Sequence, residues 1–228
     1  MTFDEIQSTV HVTFHDTKLL QHAFYHRSYL NEAKQIKESN ERLEFLGDAI
    51  LSFLTSQFLY LNYPNYPEGV LTNIRSSLVK TKSLGESAKA LGFGDLLFLS
   101  HGEEESGGRN NMSLLADSFE AFLGALFLDQ GIETTKQFLT TYLFSKTAEI
   151  VETKSYLDFK SLLQEIVQED TKVSPIYQVA KSEGPDHNRL FYIEAYIGTK
   201  KLGVGKGKSK QEGEQAAAAN ALEKMGKI

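Results

Sequence analysis

The sequence predicts a helical domain followed by a small α+β domain with the element order αβββα. Residues 1–150 contain long apolar stretches with helical spacing and no convincing alternating strands. A polar stretch, TAEIVETKSY at residues 147–156, interrupts this periodicity. Residues 157–228 then combine two helical patterns with three strand-like runs. We therefore predict a helical domain over residues 1–150, a linker over 151–156 and an α+β domain over 157–228.

The helical domain contains an apolar helix that carries three carboxylates on one face. In the segment NERLEFLGDAIL, Glu41, Glu44 and Asp48 follow the helical spacing i, i+3 and i+7. A rotation of about 100° per residue gathers them in a stripe about 60° wide. The rest of this helix, to about Leu61, is apolar over most of its circumference and should cross the domain interior. Taken alone, the stripe is most simply a solvated polar face.

A second apolar segment, LLADSFEAFLGALFLDQG at residues 114–131, repeats the pattern with Asp117 and Glu120. Gly124 and its alanine neighbours offer a small surface for close helix contact. Two apolar helices that both carry acids can satisfy one another by facing a shared cation or a wet cleft. Carboxylates gathered in this way suit a hard divalent ion such as Mg²⁺, which keeps water ligands for phosphate chemistry. A di-iron bundle requires Glu-x-x-His pairs, which neither segment contains.

The predicted α+β domain begins and ends with a helical pattern. From Asp158 onward, apolar residues trace one face of a short helix: Phe159, Leu162, Leu163, Ile166 and Val167. Three strand-like runs follow, IYQVAKSEG, LFYIEAYIG and KKLGVGKG. The last helix is rich in alanine, with Ser209 as its natural N-cap and Gly226 as its stop.

The charge distribution separates the two domains. The whole chain carries a net charge of −6, whereas a nucleic-acid-binding domain is usually basic. Residues 155–228 hold 11 Lys+Arg and 10 Asp+Glu, so residues 1–154 hold the other 13 basic and 20 acidic residues. An acidic first domain suits a metal-dependent phosphodiesterase. Residues 198–210 contain five lysines and no acid, which predicts a phosphate-binding surface.

Composition also favours a particular compartment. The sequence has no cysteine, so neither disulfides nor thiolate metal ligands are expected, and a reducing cytoplasm is the simplest location. The first residues, MTFDEIQSTVHVTFHD, lack the basic start and apolar core of a signal peptide. No stretch approaches 18 unbroken apolar residues. We expect a soluble cytoplasmic protein with no membrane partner and no small-molecule organic cofactor.

The two acidic segments closely resemble those of the ribonuclease III family. The segments HAFYHRSYLNE, PEGVLTNIRSSLV and GEEESGGR appear in the order found in that family, and the last 72 residues, with GPDHNRLF and KGKSKQEGEQAAA, resemble its double-stranded-RNA-binding domain. The resemblance implies an endoribonuclease that uses Mg²⁺, or Mn²⁺ in its place, to hydrolyse double-stranded RNA. It also implies 5'-phosphate and 3'-hydroxyl products, and a role in processing ribosomal RNA precursors and other structured transcripts.

The resemblance assigns roles to individual residues. The implied metal-binding residues are Glu44, Asp48, Asp117 and Glu120, of which Asp48 and Glu120 are the implied catalytic pair. Asp48 would hold a metal-bound water or a second ion beside the other three. Glu41 and Glu68 would be supporting acids at the rim of the site. An equal alternative for Glu68 is that its charge stabilises the start of a helix. The implied RNA contacts are Gln164, Glu165, His187, Lys206, Lys208, Ser209 and Lys210.

Two positions depart from the family pattern in the last helix. Gln211 stands where a second lysine is common, which predicts somewhat weaker phosphate binding. Gly213 stands where alanine is common, which predicts a less stable first turn.

Two arginines have expected roles that do not involve metal binding. Arg42 is expected to make a structural ion pair rather than to touch substrate. Arg109 ends the sequence SGGR, which is either a loop that approaches phosphate or a simple turn.

Phe45 is the candidate dimer residue. It lies about 40° from Glu41 around the helix and about 100° from Glu44, which places a large aromatic beside an acidic stripe. In ribonuclease III the corresponding aromatic fills a cavity of the partner subunit, so the resemblance implies a two-fold homodimer in which each metal site cuts one strand. The alternative is an ordinary core phenylalanine. A protein that binds duplex RNA without cutting is the alternative function, and the presence of all four central acids argues against it.

Overall fold

The computed structural model describes residues 1–185 and 189–228, and the chain divides into two compact units, Met1–Tyr156 and Leu157–Ile228. The first unit is helical throughout its regular elements. The second unit combines helices with an antiparallel sheet. The predicted fold class, a helical domain followed by an αβββα domain, is therefore confirmed.

Nine α-helices form the first unit, all of whose residues the structure describes. They are α1 (Phe3–Val10), α2 (Thr17–His22), α3 (Glu41–Asn62), α4 (Glu68–Val79), α5 (Thr81–Ala90), α6 (Phe93–Leu96), α7 (His101–Glu105), α8 (Met112–Tyr142) and α9 (Thr147–Glu152). Short 3₁₀ turns occur at Arg27–Asn31, Gly108–Asn110 and Phe144–Lys146. Within α8 the backbone breaks at Gly131, whose φ of 77° and ψ of −176° only glycine adopts readily.

The two acidic helices, α3 and α8, cross at a backbone contact lined by glycine. A Cβ atom added to Gly47 would lie 1.8 Å from the carbonyl oxygen of Glu120. One added to Gly124 would lie 2.2 Å from the carbonyl oxygen of Leu43. Around this crossing, both helices bury large apolar side chains, including Leu51 of α3. Any side chain at the crossing would force the two backbones apart.

Buried Asn40 fixes the start of α3. Its backbone N–H donates to the carbonyl oxygen of Tyr25 at 2.8 Å, and its Nδ2 donates to the carbonyl oxygen of Ala23 at 3.0 Å. Residues 23–25 are in turn joined to the segment after α6, because the N–H of Phe98 donates to the carbonyl oxygen of Phe24 at 2.9 Å. The acidic end of α3 is thus held by residues 23–25, which are themselves hydrogen-bonded to Phe98.

Arg109 is a structural residue in this unit. Its guanidinium donates to the carbonyl oxygens of Gly94 and Leu97 at 2.9 and 3.0 Å, and its Nε lies 2.6 Å from a carboxylate oxygen of Glu104. The carbonyl groups at the end of α6 therefore gain a donor. The structure favours the simple turn for the sequence SGGR over a loop that approaches phosphate.

The compact first unit extends through residues 151–156, the stretch predicted from sequence to be a linker. Val151 and Tyr156 pack against a small cluster formed by the buried residues Leu59, Ile74 and Leu78. This contact places the stretch on α3 and α4 rather than leaving it without packing partners.

In the second unit, two helices pack on one face of a sheet. The elements are α10 (Phe159–Thr171), β1 (Ile176–Glu183), β2 (Leu190–Ile197), β3 (Lys200–Gly207) and α11 (Lys210–Lys224). The described strands are antiparallel in the order β1-β2-β3. The core between helices and sheet includes Leu163, Ile193 and Leu222. Ser209 is the N-cap of α11, as predicted, because its Oγ accepts from the N–H of Glu212 at 3.1 Å.

Close packing explains the glycines of β3 and the start of α11. A Cβ atom on Gly205 would lie 2.2 Å from the backbone nitrogen of Ala217. One on Gly213 would lie 2.5 Å from Cγ1 of Ile193. Gly213 therefore allows α11 to approach β2, which offsets the helix-propensity cost expected from sequence.

In the described part of the chain, no helix combines the length and the apolar character needed to cross a membrane.

The α3–α8 crossing makes a testable prediction about stability. Gly47→Ala places a methyl group on the Glu120 carbonyl, so we expect it to lower the free energy of unfolding by at least about 2 kcal/mol. Gly69→Ala is the matched control, since an added Cβ on that α4 glycine meets nothing within 4 Å. It should be neutral or stabilise by up to about 1 kcal/mol. Urea unfolding followed by far-UV circular dichroism measures both, and equal stabilities would contradict the proposed crowding.

Candidate metal centre

Three carboxylates from the two acidic helices meet at the α3–α8 crossing. Glu44 of α3 and Asp117 and Glu120 of α8 each offer an oxygen, and these oxygens all lie within 4.8 Å of one another. All three side chains are partly buried. The glycine contact accounts for this arrangement, because Glu120 supplies the carbonyl that Gly47 touches and Glu44 lies one turn before Gly47.

Burial and mutual repulsion make the charged form of this cluster costly. Burial is the main cause that raises the pKa of Glu120 to about 8, and the charges of Asp48, Glu44 and Asp117 add to it. Burial also raises the pKa of Glu44, with neighbouring acids adding to the effect. The pKa of Asp117 is raised by burial as well, although the charges of His26 and Arg27 oppose that rise. A cation bound here would relieve the repulsion.

The donor set fits a divalent ion. An Mg²⁺ ion about 2.0–2.1 Å from each oxygen ligand places two of its ligands no more than about 4.2 Å apart. The observed limit of 4.8 Å therefore requires only small side-chain movements. All three donors are carboxylate oxygens, which Mg²⁺, Mn²⁺ and Ca²⁺ prefer. The cluster can bind a metal ion.

The other predicted acids, Asp48, Glu41 and Glu68, lie outside this group of three carboxylates. Asp48 is exposed, and its charge is the largest influence on the pKa of Glu120 after burial. Glu41 lines the same cleft as Glu44, and its carboxylate accepts a hydrogen bond from Ser39 Oγ at 2.7 Å. Glu68 begins α4 and lines a separate pocket of the single chain, where Thr72 Oγ1 donates to it at 3.0 Å.

The cleft above the carboxylates has a volume of about 400 Å³ and includes residues that the sequence analysis did not assign to the site. Its lining residues are His26, Arg27, Asn40, Glu41, Glu44, Leu97, Leu114 and Asp117. His26 and Arg27 belong to the segment HAFYHRSYLNE, which supported the family resemblance without suggesting a role for either side chain. The fold brings them to the acids, because the preceding residue Tyr25 accepts a hydrogen bond at 2.8 Å from the N–H of Asn40, at the start of α3.

Beyond the acidic stripe, α3 exposes a large apolar face. Phe45, Phe53 and Tyr60 are 80%, 58% and 73% exposed, respectively. A pocket of about 430 Å³ lies beside Phe53 and Tyr60, and α4 contributes Leu71 and Arg75 to it. The alternative interpretation of Phe45 as an ordinary core residue is therefore wrong for this unit.

The predicted RNA contacts of the second unit lie on more than one element. Gln164 and Glu165 are exposed on α10, while Lys208, Ser209 and Lys210 are exposed at the start of α11. Lys206 lies opposite Tyr192 of β2, one residue from glycines that pack beneath α11. Because side chains alternate along a strand, Lys206 points to the sheet face away from α11. His187 lies outside the described residues.

Comparisons with known proteins agree with the two units. The family model described as "Ribonuclease-III-like" matches residues 16–147, and the "Double-stranded RNA binding motif" matches residues 159–225. A solved nuclease domain of ribonuclease III from Campylobacter jejuni is 34% identical with a TM-score of 0.58, and the match covers 63% of this chain and 97% of that one. That structure concerns flexibility in a region involved in dimer formation of the nuclease domain.

Whole-chain relatives give the same result. Ribonuclease 3 of Bacillus velezensis is 49% identical over 226 residues, which cover 99% of this chain and 90% of the relative. Ribonuclease 3 of Enterococcus faecalis is 46% identical over 222 residues, which cover 97% and 96% of the two chains. The two relatives cover nearly the whole chain, and each family model matches one of its two units. It belongs to the ribonuclease III family of double-strand-specific endoribonucleases.

Proposed function

We propose that this protein uses Mg²⁺, or Mn²⁺ in its place, to cut double-stranded RNA into products with 5'-phosphate and 3'-hydroxyl ends. The convergence of Glu44, Asp117 and Glu120 at the α3–α8 crossing carries the proposal. Structured transcripts in the cytoplasm, such as precursors of ribosomal, messenger and transfer RNA, are the proposed substrates. The acidic cluster supports this proposal because its carboxylate oxygens suit a divalent ion that acts on phosphate groups.

The carboxylates have distinct proposed roles. Glu44, Asp117 and Glu120 would hold the ion directly, since their oxygens already lie within 4.8 Å of one another. Asp48, exposed beside Glu120, would accept a hydrogen bond from water in the cleft or help to hold a second ion. Glu41 would keep the rim of the cleft negative, and we propose the same supporting role for Glu68. When bound, the ion lowers the pKa of water and offsets charge that develops on phosphate oxygens.

Hydrolysis follows from an in-line attack. A water oxygen loses a proton and forms a bond to phosphorus while the bond from phosphorus to the 3'-oxygen breaks, and the leaving 3'-oxygen takes up a proton, so protons balance overall. The phosphate stays with the 5' side of the downstream nucleotide, which gives the proposed ends. Asp48 and Glu120 are the proposed catalytic residues on the family resemblance, and the charge of Asp48 contributes to the raised pKa of Glu120.

RNA binding by the second unit would depend on shape and phosphates. Duplex RNA hides its base edges in a narrow major groove, so such a module contacts 2'-hydroxyls and phosphates. Lys208, Ser209 and Lys210 present positive charge and N–H groups at the start of α11, where the helix dipole also favours anions. Gln164 and Glu165 of α10 are proposed minor-groove contacts. His187 and Lys206 keep the same proposed role, on the family resemblance alone.

We also propose a homodimer formed through the exposed apolar face of α3. Phe45 is 80% exposed, which is unfavourable for an isolated aromatic of this size. The pocket beside Phe53 and Tyr60 lies on the same helix and is large enough to receive a phenyl ring. A two-fold axis would let each subunit insert Phe45 into its partner and place two metal sites on one duplex.

The metal assignment predicts the effect of Glu120→Gln. Removing one charge while preserving shape should leave folding and RNA binding intact, and cleavage should fall by at least about 100-fold. The matched control is Glu133→Gln, which changes an exposed glutamate on the same helix. Single-turnover cleavage of a labelled duplex at saturating Mg²⁺ measures both variants. Cleavage by Glu120→Gln within threefold of wild type would contradict the assignment.

The raised pKa of Glu120 predicts a pH-dependent response to Mg²⁺. In the metal-free protein its pKa is raised to about 8, so the stability linked to its proton is lost as pH rises toward that value. Mg²⁺ competes with this proton, so the ion should raise the thermal midpoint more at about pH 9 than at about pH 6. Melting curves in EDTA and in Mg²⁺ test this for wild type and Glu120→Gln. Equal Mg²⁺ effects at both pH values in wild type would count against the centre.

The dimer proposal predicts a concentration-dependent defect in Phe45→Ala. A two-fold interface loses the ring twice, and each loss should cost about 3 kcal/mol. The matched control is Leu128→Ala, which truncates an exposed apolar side chain of α8. Sedimentation across a dilution series should show weaker dimers only for Phe45→Ala. A monomeric wild type, or a Phe45→Ala dimer as tight as wild type, would refute the interface.

A further inference from the structure

Arg27 lines the acidic cleft and has no side-chain partner among the described residues. The other arginines of the first unit make side-chain contacts: Arg42 with Glu38, Arg75 with Ser56 Oγ, and Arg109 with Glu104 and main-chain carbonyls. Among the residues that the structure describes, the guanidinium of Arg27 has neither a hydrogen bond nor a carboxylate within 4.0 Å. It nevertheless lines the cleft that also contains Glu41, Glu44 and Asp117.

The backbone on both sides of Arg27 is fixed. The N–H of His26 donates to the carbonyl oxygen of Phe98 at 3.2 Å, and Ser28 Oγ accepts from the N–H of Ser100 at 2.9 Å. The N–H of Ser28 also donates to His26 Nδ1 at 3.3 Å, which closes the turn that contains Arg27. The exposed side chain therefore extends from a rigid base, and it loses less freedom when it binds than a side chain on a mobile loop.

The charge of Arg27 already acts within the cleft. It lowers the pKa of Asp117, in opposition to the rise that burial causes. It also lowers the pKa of His26, where burial is the largest cause. The guanidinium is thus close enough to influence a proposed metal ligand, yet it is not consumed by an ion pair with that ligand.

We infer that Arg27 binds a phosphate of the RNA strand that is cut and so positions that strand at the carboxylate cluster. A guanidinium offers a fork of N–H donors that matches phosphate oxygens, and contacts of this kind fix the register of a nucleic acid. The carboxylates that line the cleft repel a polyanion, and the guanidinium of Arg27, which has no partner among the described residues, supplies a complementary charge beside them. The inference rests on the proposed metal centre and adds a substrate contact to it.

Arg27→Ala tests the contact. Single-turnover cleavage of a short labelled duplex by the full-length protein is measured at saturating Mg²⁺ over a series of salt concentrations. We expect kcat/KM to fall by about 10- to 100-fold, and the slope of its logarithm against the logarithm of salt concentration to become shallower by about one. Arg27→Lys should recover part of the rate, because it keeps the charge without the fork. The thermal midpoint should not change.

Arg42→Ala is the matched control, since Arg42 is an exposed arginine whose partner is Glu38 outside the cleft lining. It should cleave like wild type with the same salt slope. The inference is overturned if Arg27→Ala cleaves within twofold of wild type, or if its loss comes with a lowered thermal midpoint and an unchanged salt slope. If Glu120→Gln is inactive while Arg27→Ala behaves as wild type, the metal centre stands and the phosphate contact fails. A fully active Glu120→Gln instead refutes the metal centre itself.

Discussion

The backbone contact between α3 and α8 determines the geometry of the acidic site. Gly47 touches the carbonyl group of Glu120, and Gly124 touches that of Leu43, so each helix supplies one glycine and one carbonyl. This reciprocal contact lets the helix axes approach more closely than side chains would allow. Because Glu44 lies one turn from Gly47, the same approach brings its carboxylate to that of Glu120. Core packing and the spacing of the acids therefore have one structural cause.

That close approach carries an electrostatic cost that the rest of the helical unit has to offset. Three partly buried carboxylates repel one another, and the pKa of Glu120 rises to about 8. Near Glu120 on α8, the aromatic residues Phe119 and Phe122 are fully buried, and their apolar packing stabilises the position of the helix. Such a cluster is a local departure from the rule that buried charges are paired, and departures of this kind are expected where a ligand supplies the missing charge.

Periodicity in the sequence predicts which face of a helix is acidic or apolar, but not which other segment of the chain contacts that face. The stripes at Glu44 and Glu120, the αβββα order and the N-cap at Ser209 follow from spacing within a single segment. The role of Gly47 does not, because it depends on a carbonyl group 73 residues further along the chain, and the sequence analysis identified only Gly124 as a contact residue. For the same reason, the sequence indicates neither the position of Arg27 in the cleft nor the main-chain partners of Arg109. Their surroundings are set by hydrogen bonds to Phe98 and Gly94, which no local pattern encodes.

The lysine-rich run of the second unit shows why counting charges along a sequence overestimates the number of cations on one binding surface. Residues 198–210 contain five lysines, but the glycines at alternate positions of β3 pack beneath α11 and turn Lys206 to the opposite face of the sheet. Lys208 and Lys210 lie at the start of α11, where a phosphate would also meet backbone N–H groups. Few cations thus share one surface, on a chain whose net charge is −6. With so few cations on one surface, each cation without an acidic partner among the described residues contributes a larger share of the attraction for RNA. In the helical unit, this makes the position of Arg27 beside the carboxylates significant.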